Sequence, residues 1–255
     1  MYIPASFRQD DLPTLHELIR ERPLGTLVSS SEQGLVASLI PFLLYPDEGA
    51  NGCLRAHIAR ANPHWLSLQS AGECMVIFQG EQGYITPSWY PSKQTTHKVV
   101  PTWNYVAVQI KGQVRVISDA QWLHRQLSDV TAAMEGRRLL PWTLDEAPAD
   151  FIAAQKQAIV GLEIPIREIE GKWKMSQNRS ADDARGVVAR KAHVAGQRGL
   201  VGREVPAVPD GPPEPGVQRL DRVRGVDDPP RLRRERQKRS KPQHSAHNWS
   251  PTAFG

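Results

Sequence analysis

The sequence predicts a mainly β protein, an antiparallel barrel with helices packed outside it. Two observations carry that prediction. Six or seven apolar runs of strand length follow one another between Leu24 and Gly171, separated by turn residues. Few helical stretches lie between them, so the alternating pattern of a parallel sheet is missing. No internal repeat is present.

The elements follow in order. Asp10 or Asp11 can cap a first helix with Pro13 in its first turn, and Leu12, Leu15, Leu18 and Ile19 recur at helical spacing until Pro23. Residues 24–30 and 34–46 read as two strands joined by a turn at Ser31–Gly34. Residues 47–52 make the next turn and 53–59 a third strand. Pro63 opens a short helix. Strands at 73–80 and 82–87 precede a loop, which feeds a long strand at 102–118. Asp119 caps an amphipathic helix carrying Trp122, Leu123, Leu127, Val130 and Thr131. A further helix begins near Pro148, and a last strand covers 158–171.

The texture then changes. Residues 185–255 hold 15 Lys and Arg against 7 Asp and Glu, nine prolines and two aromatics, Trp249 and Phe254. No apolar period survives there, so little can be buried against the entropy of ordering, and the segment reads as disordered. Its run "RLRRERQKRSK" (231–241) reads as a solvated charge run that can touch nucleic acid or acidic proteins. The basic balance belongs wholly to this tail. Residues 1–184 carry a net charge of −3, which gives no overall field for gripping a phosphate backbone.

Cys53 and Cys74 are the only cysteines and form no CxxC, so they read as buried free thiols in a reducing compartment, with no metal framework. The N-terminus lacks the basic and apolar regions of a signal peptide. The longest apolar stretch, 35–45, is shorter than the ~20 residues that span a bilayer. A cytoplasmic protein without membrane contact is the expectation. HExxH, P-loop, GxSxG and a clean GxGxxG are all absent, and the glycine-rich "GQRGLVG" (196–202) follows no strand.

Three polar clusters remain. The first, "AHIARANPHW" (56–65), joins a strand to a helix and offers His57, Arg60 and Asn62 beside a helix N-terminus, where an anion binds well. The second is the loop "PSWYPSKQTTHKVVPTWNY" (87–105), which contains no acidic residue. Trp89, Tyr90, Trp103 and Tyr105 supply flat faces; Lys93, His97, Lys98, Thr95, Thr96 and Asn104 supply polar groups. That mixture suits a flat anionic aromatic ligand, stacked single-stranded nucleic acid or a dimer interface. The third, "EGKWKMSQNR" (170–179), follows the last strand and places Lys174, Ser176 and Gln177 among many donors.

These clusters, in this order, resemble the PaiB-like family, described as FMN-binding negative transcriptional regulators. The matching stretches include "MYIPASF", "PLGTLVS", "HIARANPHW", "YITPSWYPSK", "THKVVPTWNYVAV", "AIVGLEIPI" and "EGKWKMSQNR", and cover residues 1 to about 183. The resemblance implies a split β-barrel like that of the pyridoxamine-phosphate oxidases, with FMN in the groove of a homodimer. It implies an FMN-binding domain over 1–183 and a basic Pro/Arg-rich tail over 184–255. By fold analogy Arg60 and Asn62 approach the flavin phosphate, and His57 of the same turn is a further cofactor-binding candidate. Lys93, Thr96, His97, Trp103 and Asn104 join from the loop, and Lys174, Ser176 and Gln177 from the closing segment.

The chain departs from the family pattern at three places. Leu39 and Gln109 stand where the family usually shows histidines, and the tail from Arg185 resembles an out-of-frame reading that a frameshift near 183–195 would produce. The resemblance implies a flavin-binding regulator of transcription. A flavin-dependent oxidoreductase of the same superfamily is the alternative, and a flavin-free barrel dimer is a third reading. No helix-turn-helix is visible, so direct DNA binding has no basis in the charge of the body.

Overall fold

The computed structural model describes residues 1–31 and 34–190, all within one compact unit, Met1–Val205. The tip of the turn between Ser31 and Gly34 lies outside the described residues. So do the segment 191–255, with the expected disorder of the tail, and the runs at 196–202 and 231–241.

Among the described residues ten strands form two antiparallel sheets. The larger contains β1 (Arg8–Gln9), β2 (Leu24–Ser31), β3 (Gly34–Pro41), β6 (Cys74–Ile85), β7 (Thr102–Gly112) and β10 (Glu168–Lys174), in the order β1-β10-β7-β6-β2-β3. The smaller contains β4 (Leu43–Tyr45), β5 (Cys53–Ala59), β8 (Arg115–Ile117) and β9 (Ile159–Pro165), in the order β4-β5-β9-β8. One core lies between them, built from Leu27, Ile40, Val76, Phe78, Val108 and Ile110 of the first sheet and Leu54, Ile58, Val160, Leu162 and Ile164 of the second. The mainly β, antiparallel fold class expected from the sequence is the one observed, a barrel split into two sheets.

Strand number differs from expectation in three ways, the first being the two-residue β1, which was not expected. Three of the long runs each break where the chain crosses from one sheet to the other. Residues 34–46 break after Pro41, 102–118 after Gly112, and 158–171 after Pro165. At Gly112 and Pro165 two corners cross so closely that a Cβ on Gly112 would lie 2.4 Å from the Pro165 carbonyl oxygen. The opposite occurs at 73–87, where one bulged strand, with a register shift between Gln79 and Gln82, replaces the expected two.

Helices pack outside. In α1 (Leu12–Glu21) the Asp11 carboxylate accepts the Thr14 N–H at 3.0 Å, and Leu15, Leu18 and Ile19 turn into the core. α2 (His64–Ser70) follows β5, and the short α3 (Lys93–Thr96) lies in the aromatic loop. In α4 (Ala120–Glu135) Asp119 accepts the Trp122 N–H at 2.7 Å. The Trp122 ring covers Gly161, where a Cβ would lie 2.2 Å from it. α5 (Ala149–Gln157) leads into β9. A last helix, α6, runs over 181–190 with Val187 buried, so the boundary expected at 183 falls inside an element, and residues 184–190 are not part of a disordered tail. No helix of the described residues is long and apolar enough to cross a membrane.

The larger sheet has two unlike faces. Its inner face fills the core. Its outer face includes the cross-strand row Leu39–Thr26–Ile77–Gln109–Glu170 and the row Ala37–Val28–Met75–Lys111–Glu168. Leu24, Leu35 and Leu39 on that face are 57%, 80% and 70% exposed, so its β2–β3 side is an open apolar surface.

Candidate functional site

The first cluster is largely consumed by the fold. His57 Nδ1 lies 2.8 Å from Oε1 of Gln126, a buried residue of α4. Arg60 donates from Nε to the Gln157 carbonyl (2.9 Å) and from Nη2 to the Ile159 carbonyl (3.0 Å), so it ties off the C-terminus of α5. With Lys156 and Leu123 it also lines a cavity of about 440 Å³. Asn62 accepts the His64 N–H at 3.0 Å and donates to Ser38 Oγ at 3.4 Å. The free N–H groups expected at this turn are therefore partly spent on Asn62 itself.

His64, which sequence reasoning passed over, fastens this region. It is 1% exposed, with Nδ1 2.8 Å from Ser38 Oγ and Nε2 2.9 Å from Ser29 Oγ. Each serine hydroxyl can donate or accept, so the two ring nitrogens take their roles from the tautomer. Burial pushes its pKa down. The only signal in the sequence was its place one residue after Pro63 in a helix start.

The second and third clusters come together and stay open. Beyond β6, Thr86 accepts the Ser88 N–H (3.3 Å), and Lys93 donates to Ser88 Oγ (3.3 Å). Thr96 Oγ1 donates to the Ser92 carbonyl (3.0 Å) and accepts the Lys98 N–H (3.2 Å), closing α3 around His97, which takes a left-handed φ of 56°. Among the described residues the His97 imidazole and the Lys98 ammonium have no partner. Trp103 donates to Gln82 Oε1 (3.3 Å) and stands edge-on to Tyr84 with ring centroids 6.2 Å apart. Both rings are about half exposed. Register places Trp103 and Tyr105 on the same face as Lys174 and Gln109, but the row between them, Ala107 and Lys172, is buried, and Lys172 donates to the Tyr2 carbonyl at 3.0 Å.

The closing segment is bolted to that loop. Asn104 and Ser176 are both buried. Asn104 Nδ2 donates to Ser176 Oγ (2.9 Å), which donates back to Asn104 Oδ1 (3.2 Å). Lys174 donates to Thr102 Oγ1 (2.7 Å). Gln177 is a local staple, its amide bridging the Trp173 carbonyl and the Met175 N–H. Tyr90 is 2% exposed and its hydroxyl has no partner among the described residues, while the Arg179 guanidinium stands 4.9 Å over its ring.

The two replaced histidine positions, Leu39 and Gln109, fall in one row of the open face. Elsewhere Glu48, Cys53 and Glu163 converge within 4.8 Å, but Arg55 pairs with both carboxylates at 2.8 Å, and the trio is an ion-pair network. Both thiols are buried and free. Burial pushes Cys53 up to about 11 and Cys74 up to about 12, so neither is a thiolate near neutrality.

A family model described as "Putative FMN-binding domain" matches residues 1–168. An uncharacterized protein of Aspergillus fumigatus is 34% identical over 233 residues, spanning 74% of this chain and 89% of its own. An uncharacterized protein of Saccharomyces cerevisiae is 37% identical over 157 residues, or 54% of this chain and 92% of its own. The Bacillus subtilis "Protease synthase and sporulation protein PAI 2" is 28% identical over 188 residues, with 74% and 87% covered.

Proposed function

The chain belongs to the FMN-binding domain family, and from that premise we propose that it is a flavin-binding homodimeric regulator of the PaiB type, with FMN on the open face of the larger sheet between two copies. The observation that carries this reading is that two exposed regions share that face, on either side of the buried Ala107 and Lys172. One part bears the half-exposed rings of Trp103 and Tyr84 with Lys174; another bears the apolar surface of Leu24, Leu35 and Leu39. The donor set fits the group. A flat ring system finds aromatic faces, and a phosphate finds Lys93, His97 and Lys98 in a loop without a carboxylate, with Lys174 of β10 hydrogen-bonded to Thr102 of β7. Gln109 offers both a donor and an acceptor midway along the face. When bound, FMN supplies hydride and single-electron chemistry. The residues of this chain bind it, orient it and, through the leucines of a second copy, exclude water.

The regulatory role follows the family resemblance of the sequence; the similar Bacillus protein is named for protease synthesis and sporulation. The net charge of −3 over residues 1–184 argues that any contact with DNA runs through a groove shared by two copies or through another protein. A flavin-dependent oxidoreductase is the second reading. The half-exposed Trp103 and the unpaired His97 favour it, because they leave a substrate path and a proton-carrying group beside the face.

The test is an absorbance scan after adding FMN and desalting, with the mass in solution. Retained flavin bands in a dimer are the expected result; a colourless protein would contradict it. A flavin-dependent shift of operator DNA then supports the regulator, and reduction by NAD(P)H faster than free FMN supports the oxidoreductase.

A further inference from the structure

The family match ends at residue 168, yet the aromatic loop is held by residues beyond it. Ser92, the residue before α3, donates its backbone N–H to Asp183 Oδ1 at 3.0 Å and its hydroxyl to Oδ2 at 2.7 Å. Asp183 lies in the first turn of α6 and is 5% exposed, and the two Ser92 donors hold its carboxyl below the usual carboxylate range. One turn on, Val187 is buried with Ile85 and Tyr90, and Trp89 and Val99 pack against them. Gly186 sits where a Cβ would lie 2.3 Å from the Trp89 carbonyl oxygen. Residues 183, 186 and 187 share one helix face, so α6 grips 89–92 along its length. Arg179 adds its guanidinium over Tyr90.

The grip reaches the polar tip of the loop through Ser92. Its carbonyl accepts from the hydroxyls of Thr95 (3.2 Å) and Thr96 (3.0 Å), and the Thr96 oxygen orders Lys98. Fixing Ser92 therefore fixes α3, and with it the direction of Lys93, His97 and Lys98.

We propose that α6 is a strap that positions the loop, with Asp183 as its positioning residue, and that flavin affinity at the open face depends on the strap although no strap residue touches the flavin. The affinity half of this proposal rests on the flavin reading; the strap half does not. Asp183→Ala removes both acceptors of Ser92, and Asp183→Asn keeps one. The loop carries two trypsin sites, after Lys93 and Lys98, and Arg55 and Arg115 in the smaller sheet serve as internal references.

The experiment is limited trypsin digestion of FMN-free full-length protein, with cleavage products followed by mass, together with FMN titration by flavin fluorescence. In Asp183→Ala, cleavage after Lys93 and Lys98 is expected to rise about tenfold over the reference sites and the FMN Kd to rise about tenfold, the scale of a lost charge-assisted contact. Asp183→Asn is expected to fall between. Val187→Ala, which loosens the apolar grip and leaves the carboxylate, is expected to show the same selective cleavage should Asp183→Ala fail to fold. Unchanged loop cleavage, or equal acceleration at all sites, would overturn the strap. A selectively opened loop with wild-type FMN affinity would overturn its role at the flavin face. A wild-type protein that binds no FMN, with the selective cleavage still seen in Asp183→Ala, would keep the strap and remove the flavin reading.

Discussion

The turn at 56–65 and the loop at 87–105 hold the same kinds of side chain, yet the fold treats them in opposite ways. At the turn, Arg60 and Asn62 find carbonyls and N–H groups within reach and are spent on them. In the loop, the backbone is satisfied by its own short turns, and His97, Lys98, Trp103 and Tyr84 are left facing outward. Polar residues beside a strand-to-helix junction tend to become its caps, because orphan backbone groups crowd there. A long loop between two paired strands has fewer such groups to serve. The first region should therefore respond to mutation in stability and the second in ligand affinity.

The largest effect tests that split from the structural side. Gly161→Ala drives a methyl into the Trp122 ring that seals the smaller sheet and should cost about 3 kcal/mol in chemical denaturation. The FMN affinity of the folded fraction should not change. Lys174→Ala is the converse. FMN affinity should fall about tenfold with little change in Tm, since its partner Thr102 can turn to water.

His64 sharpens the comparison through pH. Its folded-state pKa lies below the ordinary 6.5 because it is buried. As pH drops below 6.5 the unfolded chain takes up the proton first, so stability falls, by at most about 1.4 kcal/mol per pH unit. Above 6.5 both states are neutral and the contribution is flat. Urea melts of wild type and His64→Gln between pH 5 and 7.5 should differ in slope below 6.5, with the variant the flatter. The smallest effect is that of Arg60→Ala, which unties α5 at a cost of about 1 kcal/mol. It should leave FMN affinity within about twofold, and a tenfold loss there would place the phosphate at the turn and reverse the comparison.

Much of the fold was legible in the sequence because local signals and burial agree. The Asp11 and Asp119 caps, the α1 stripe and the strand at 24–30 all lie where their patterns put them. The corners were not legible. Pro41, Gly112 and Pro165 mark breaks, but nothing local says that the chain changes sheet at each one. His64 and Asp183 were missed because their partners, Ser29 and Ser92, are 35 and 91 residues away. The shift in composition at Arg185 misplaced the domain edge. Gly186 and Val187, which lie beyond that shift, are packed against the aromatic loop.

The central claim is that the open face of the larger sheet holds flavin between two copies. Leu39→Glu places a carboxylate on the β3 edge of that face, on a residue 70% exposed in the single chain. Sedimentation of wild type and Leu39→Glu, each monitored at the flavin absorbance after FMN loading and desalting, tests it most directly. The account predicts a yellow dimer for wild type and a colourless monomer for the variant. A variant that sediments as a monomer and keeps its flavin would contradict it.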